Sequence, residues 1–123
     1  MMRMKFREVV WLHEFKREIK SLSKRYATLE EDLDVFIDTS AFAFHKLKLD
    51  TGIVRIEGLG RTRLPVFKAK KFACRSLKGK GARTGIRVIY AFDMDQDRIE
   101  LIEIYIKSDQ ENEDRARIRK YYG

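Results

Sequence analysis

The spacing of apolar residues changes repeatedly along the chain, and each change marks an element. Met4 to Trp11 (MKFREVVW) is rich in β-branched and aromatic residues and predicts a first strand. Phe15, Ile19, Leu22 and Tyr26 then recur every three to four residues, one face of a helix, with Lys16, Arg17, Glu18 and Lys20 on the others. After a break at 23–28, Thr28-Leu29-Glu30-Glu31 matches a capping box, in which Thr28 accepts from the Glu31 amide while Glu31 reaches back. Leu29, Leu33, Phe36, Ile37, Ala41, Phe44 and Leu47 mark the buried side of this second helix, which stops before Thr51-Gly52. Two helices joined so briefly predict an antiparallel hairpin.

Residues 51–65 carry Gly52, Gly58, Gly60 and Pro65 and read as a connector with one short extended piece. Strand patterns follow at Val66 to Cys74, Ile86 to Phe92 and Ile99 to Lys107, separated by the glycine-rich loop Lys78 to Gly85 and the turn Asp93 to Asp97. The apolar run through Leu101, Ile102 and Ile106 predicts a central strand covered on one face by the helices. Asp109 to Tyr122 returns to helix-forming residues, with late cations that suit the negative end of a helix dipole. The fold class is α+β: an N-terminal strand, an antiparallel helix hairpin packed on a small, mostly antiparallel sheet of about four strands, and a C-terminal helix.

Length and composition narrow this further. The chain has 123 residues, 44% of them hydrophobic, which suits one domain over 1–123 with a core of its own. Cys74 is the single cysteine, which excludes an intrachain disulfide and a multi-cysteine zinc site and suits a reducing cytoplasm. The longest stretch without Asp, Glu, Lys or Arg is Thr39 to His45, and Arg3, Lys5 and Arg7 interrupt the N-terminus. A membrane span needs about 20 apolar residues, so neither a membrane-spanning nor a secreted chain is expected.

The net charge of +8 is unevenly placed. Residues 51–90 hold eleven Lys/Arg against Glu57 alone, whereas the segments on either side are nearly neutral or acidic. Like charges held close repel one another unless a polyanion neutralises them. Nucleic acid is the partner this block fits best, with plain solubility, acidic lipid and an acidic protein as the other readings.

Other motifs carry less. Asp93, Asp95 and Asp97 resemble the opening of a calcium loop, but Arg98 replaces its glycine and Ile104 its final glutamate, which leaves a hairpin turn. Gly79 to Gly85 lacks the Gly-Lys-Ser/Thr ending of a phosphate loop. His13 and His45 have no third ligand and read as surface or boundary residues; Cys74 reads as a small buried hydrophobe within a strand. No metal or cofactor is expected. Lys68 and Lys70 alternate with Phe67, Ala69 and Lys71 along a strand and so share one face. Arg87 is the only charge in Ile86 to Phe92, which places it on an uncovered sheet surface or against Glu100 or Glu103 on the neighbouring strand.

The helix hairpin, then KAKKFACRSLKGKGARTGIRVIYAFD, an acidic turn and IELIEIYIKSD together resemble the RelE/ParE superfamily of toxins. The resemblance covers nearly the whole chain in element order and is sharpest in Gly85-Ile86-Arg87-Val88-Ile89-Tyr90, which matches the family's Gly-x-Arg strand. It implies the toxin of a toxin–antitoxin module: a ribosome-dependent messenger RNA endoribonuclease, held silent by an acidic antitoxin that covers Lys68, Lys70 and Arg87 or displaces the terminal helix. By resemblance Arg87 takes the place of the strand arginine, Lys68 and Lys70 of the paired lysines, and Lys107 of a second arginine; these are the expected catalytic residues. The RNA-binding set around them is Lys71, Arg75, Lys78, Lys80, Arg83 and Tyr90. Cleaving members carry a late tyrosine where this chain has Asp109-Gln110-Glu111. That departure keeps open a ParE-like gyrase inhibitor, and a non-catalytic nucleic-acid-binding domain or decayed toxin also stands.

Cleavage by the ribose 2′-hydroxyl needs a base, cations around the phosphorane and an acid for the departing 5′-oxygen. A lysine can be the base where neighbouring positive charge favours its neutral form, a demand that Lys68 and Lys70, crowded by Lys71 and Arg75, fit. Arg87, with two parallel donors, suits the phosphorane oxygens, and Lys107 or Arg83 the flanking phosphates.

Overall fold

The computed structural model describes residues 5–123; Arg3 and Met4, the latter the first residue of the expected initial strand, lie outside them. The elements are β1 (Glu8–Trp11), α1 (His13–Ser23), α2 (Leu29–Phe36), a π-helical turn (Ile37–Ala41), α3 (Phe42–Lys46), β2 (Ile53–Arg55), β3 (Val66–Ala69), β4 (Ile86–Asp93), β5 (Arg98–Ile106) and α4 (Arg115–Tyr122). The α+β class and the element order expected from the sequence are both present. The sheet has five strands rather than about four, in the order β1-β5-β4-β3-β2. The fifth is β2, the short extended piece of the connector, which pairs antiparallel with β3 from Ile53↔Ala69 to Arg55↔Phe67. β1 runs parallel to β5, and the other pairs are antiparallel.

Both faces of the sheet are covered, where the sequence predicted cover on one. The hairpin buries Phe15, Ile19, Leu29 and Leu33 against Val88, Tyr90, Leu101 and Ile104 on the first face. On the second face, Ile118 and Tyr122 of α4 pack with Val66, Ile89, Ala91 and Ile102. Complete burial of each such side chain is worth roughly 1.5–3 kcal/mol, so the two layers lock the strand register. Between Ile89 and Tyr90 that register slips: Ile89 faces Glu103 while Tyr90 faces Leu101, so Ile102 is an extra residue in β5. The bulge allows consecutive residues, Ile102 and Glu103, to be buried together in an otherwise alternating strand.

Several local expectations are corrected. Thr28 stands at the start of α2 without a side-chain cap bond. Its hydroxyl donates to Asp32 (2.7 Å) and accepts from the Ser76 amide (3.0 Å), while Glu31 turns to Arg75, so the groups of the capping box are spent on the 74–76 segment. The second helix is interrupted by the π turn, where the Thr39 hydroxyl takes the Val35 carbonyl (2.6 Å). It ends at Lys46, leaving Leu47 55% exposed rather than buried. Cys74 is buried as expected but lies past the end of β3. Residues 107–114 form a strap rather than helix: buried Glu103 accepts from the Asp114 amide (2.8 Å) and from Gln110 Nε2 (2.7 Å), which fixes the chain until Asp114 caps α4.

Candidate functional site

Strand register places the basic residues in rows across the second face. Lys70 continues the pairing beyond β3, donating its amide to the Gly52 carbonyl (2.9 Å). Extending the β3–β4 register from Ala69↔Val88 sets Lys70 opposite Arg87, and Arg87 pairs with Tyr105. Opposite residues in antiparallel strands share a face, so Lys70, Arg87 and Tyr105 form one row. The next row holds Lys68, Ile89 and Glu103, which puts Lys68 and Lys70 on the same face, as their alternation predicts. One step beyond β5, the Lys107 amide donates to the Gly85 carbonyl (2.8 Å) and closes the end of the array. Gly85 has φ +81, a left-handed conformation that explains the glycine two residues before Arg87. Gly52 has φ +80, and a Cβ there would lie 2.7 Å from the Lys71 side chain, which runs across it.

Arg87 is half-buried and donates from Nη1 to the Lys70 carbonyl (3.0 Å). It meets neither Glu100, which is taken by Arg98 and Tyr122, nor Glu103, which holds the strap. Of the two placements read from the sequence, the uncovered surface is the one observed. Lys70, Lys71 and Lys107 are exposed at this end of the sheet. Lys78, Lys80 and Arg83 are exposed on the loop that follows, whose return is fixed by the Phe72 amide on the Ala82 carbonyl (3.2 Å). Within the basic block, only Lys68 and Arg75 form ion pairs among the described residues.

Those two depart from the expected arrangement. Arg75 reaches away to Asp32 (2.9 Å) and Glu31 on α2, so it neither crowds the lysines nor offers a free cation. Lys68 is bound to Glu113 on the strap (2.9 Å). Burial works to lower its pKa, but the Glu113 carboxylate and the Tyr105 oxygen outweigh burial and the net shift is upward, which holds Lys68 as a cation. Burial likewise pushes the Tyr105 phenol up, against the pull of Lys68. The sequence noted Tyr105 only as preceding the stretch where a tyrosine was sought; hairpin register alone would have set it opposite Arg87. Glu113 was missed altogether, since nothing local signals that an acid after β5 folds back onto β3.

Tyr90 belongs to the other face and is fully buried, so it has no surface to give to RNA. Its hydroxyl shares a 2.7 Å hydrogen bond with His45 Nε2. His45 is also buried rather than at the boundary, with Phe44, Phe67 and Phe92 around its ring. Burial, with Lys48 and Lys46 nearby, lowers His45 to about 4 and keeps it neutral at ordinary pH. His13 is exposed, as expected.

No protein-family model matches the chain, and no curated protein matches it in sequence. Among solved structures, the archaeal RelE–RelB complex from Pyrococcus horikoshii OT3 contains a similar chain, with a TM-score of 0.50 and 15% identity over 85% of this chain and 97% of that one. The fold is RelE-like. At that identity the likeness speaks to the fold alone, and the RelE-like frame accounts for the element order, the five-stranded sheet and the C-terminal helix together. No described helix is long and apolar enough to cross a membrane.

Proposed function

We propose that the chain is the toxin of a toxin–antitoxin pair and acts as an endoribonuclease on messenger RNA held in the ribosome. The observation that carries this reading is the row Lys70–Arg87–Tyr105, bordered by Lys107, on the end of a RelE-like sheet where cations reach solvent. Arg87 supplies fixed positive charge for the phosphorane, with its guanidinium steadied by the Lys70 carbonyl. Lys70, exposed and outside any ion pair among the described residues, is the base that takes the proton of the 2′-hydroxyl. The hydroxyl oxygen attacks phosphorus, the 5′-oxygen leaves with a proton from the site, and a cyclic phosphate remains. Lys107 and the 78–83 loop hold flanking phosphates. Positioning by the ribosome can supply roughly 7–11 kcal/mol of the barrier, so a sparse site suffices.

The reading places the protein in the cytoplasm and gives it an acidic antitoxin as partner, laid over the same cations. Expressed without that partner, wild type arrests growth, whereas Arg87→Ala and Lys70→Ala, each folded by circular dichroism, do not. Continued toxicity of both variants moves the site elsewhere. The pairing of Lys68 with Glu113 removes one cation from the ribonuclease set and favours a second reading, a gyrase-directed toxin. Cells would then show DNA-damage induction with messages intact.

A further inference from the structure

Glu113 sits on the strap between β5 and α4, yet its side chain is only 6% exposed because it turns inward. One oxygen accepts from Lys68 Nζ (2.9 Å) and the other from Arg115 Nε (3.0 Å). Beside this pair the Tyr105 hydroxyl is buried without a hydrogen-bond partner. Buried hydroxyls are rarely left so, and this one lies in the row of Arg87.

We propose that Lys68 and Tyr105 form a phosphate seat adjoining Arg87, and that the Glu113 carboxylate fills the seat in the free protein until a phosphodiester of bound RNA replaces it. The proposal rests on the reading of this face as the RNA-cleaving one. A carboxylate and a phosphate both accept strongly from an ammonium, and the phosphate has further oxygens with which to use the Tyr105 hydroxyl. Burial would raise the Glu113 carboxyl, but Lys68 and Arg115 hold it low. Lys68 stays a cation against either anion, so the exchange moves no proton. Once released, Glu113 keeps Arg115, and the strap has to loosen only where Glu103 pins the Asp114 amide.

The test uses the full chain and a fully 2′-O-methylated RNA oligonucleotide, which has no nucleophile and is not cut. Glu113→Gln should bind it roughly fivefold more tightly. It should also steepen the slope of log affinity against log salt by about 0.7, one further phosphate contact on a single strand. Adding Lys68→Met to Glu113→Gln should restore the wild-type slope. In wild type, hydrogen exchange at the Asp114 amide should speed up when the oligonucleotide binds, a readout that stands even if a variant fails to fold. Unchanged affinity, slope and exchange, with binding still weakened by Arg87→Ala, would overturn the seat and leave the cleavage face standing. Binding indifferent to Arg87→Ala would overturn both.

Discussion

The second face of the sheet has two ends built on the same strands, and they have opposite characters. Toward one end, Val66 of β3 and Ala91 of β4 lie in the layer formed with Ile118 and Tyr122 of α4, closed from water. Toward the other, four residues along β3 and four back along β4, stand Lys70 and Arg87. α4 has eight residues and is about 12 Å long, too short to cover both ends. The cations stand where apolar cover stops. A basic residue there loses little solvation, whereas at Ala91 it would be buried without a partner. The contrast separates stability, held by the apolar end and by the first face, from chemistry, held by the basic end.

Substitutions test that separation. Phe15→Ala, on the first face, should destabilise by about 3–5 kcal/mol, read by urea unfolding, while the folded protein keeps its RNA affinity. A parallel loss of affinity at full folding would break the division. His45 gives the next largest effect. Its folded-state pKa, about 4, lies below the unfolded value of about 6.5. Between those values the unfolded chain takes up a proton that the folded protein refuses. The His45 contribution is therefore intact above about pH 6.5 and falls by on the order of 3 kcal/mol as pH drops to about 4. His45→Gln should remove that part of the slope, measured as the difference from wild type in unfolding free energy between pH 7 and 4.5; identical slopes would contradict a neutral buried imidazole. Tyr122→Phe, which strips a buried hydroxyl from Glu100 (2.7 Å), should cost about 1–3 kcal/mol and leave RNA binding unchanged. Smallest in stability is Lys70→Ala, within about 0.5 kcal/mol of wild type; a larger loss would mean that the basic end also holds the fold together.

The legible parts of this fold are those with a local signal. Period changes gave both helices and the main strands, and the alternation of Lys68 and Lys70 gave their shared face. Gly85 before Arg87 marked a backbone that needs positive φ. What stayed hidden depends on partners distant in sequence. His45 is buried because Tyr90, 45 residues later, meets it. Arg75 is lost to RNA because Asp32, 43 residues earlier, takes it. Lys68 is claimed by Glu113, 45 residues later. Charge alone counts all of these as free; which cations remain available is settled by tertiary pairing. The cover on the second face was missed for a related reason, since α4 is rich in arginine and shows its apolar side only through Ile118 and Tyr122.

The central claim is that Arg87, at the uncovered end, serves RNA cleavage on the ribosome. Its most direct test is an assay on purified ribosomes programmed with end-labelled messenger RNA, with wild type and Arg87→Ala side by side and ribosome-free RNA as control. The account predicts cuts at the decoding site by wild type alone and only with ribosomes present, the variant being slower by roughly a hundredfold or more. Folded, antitoxin-free wild type that leaves the message intact, or an Arg87→Ala protein that cuts it equally well, would contradict the account.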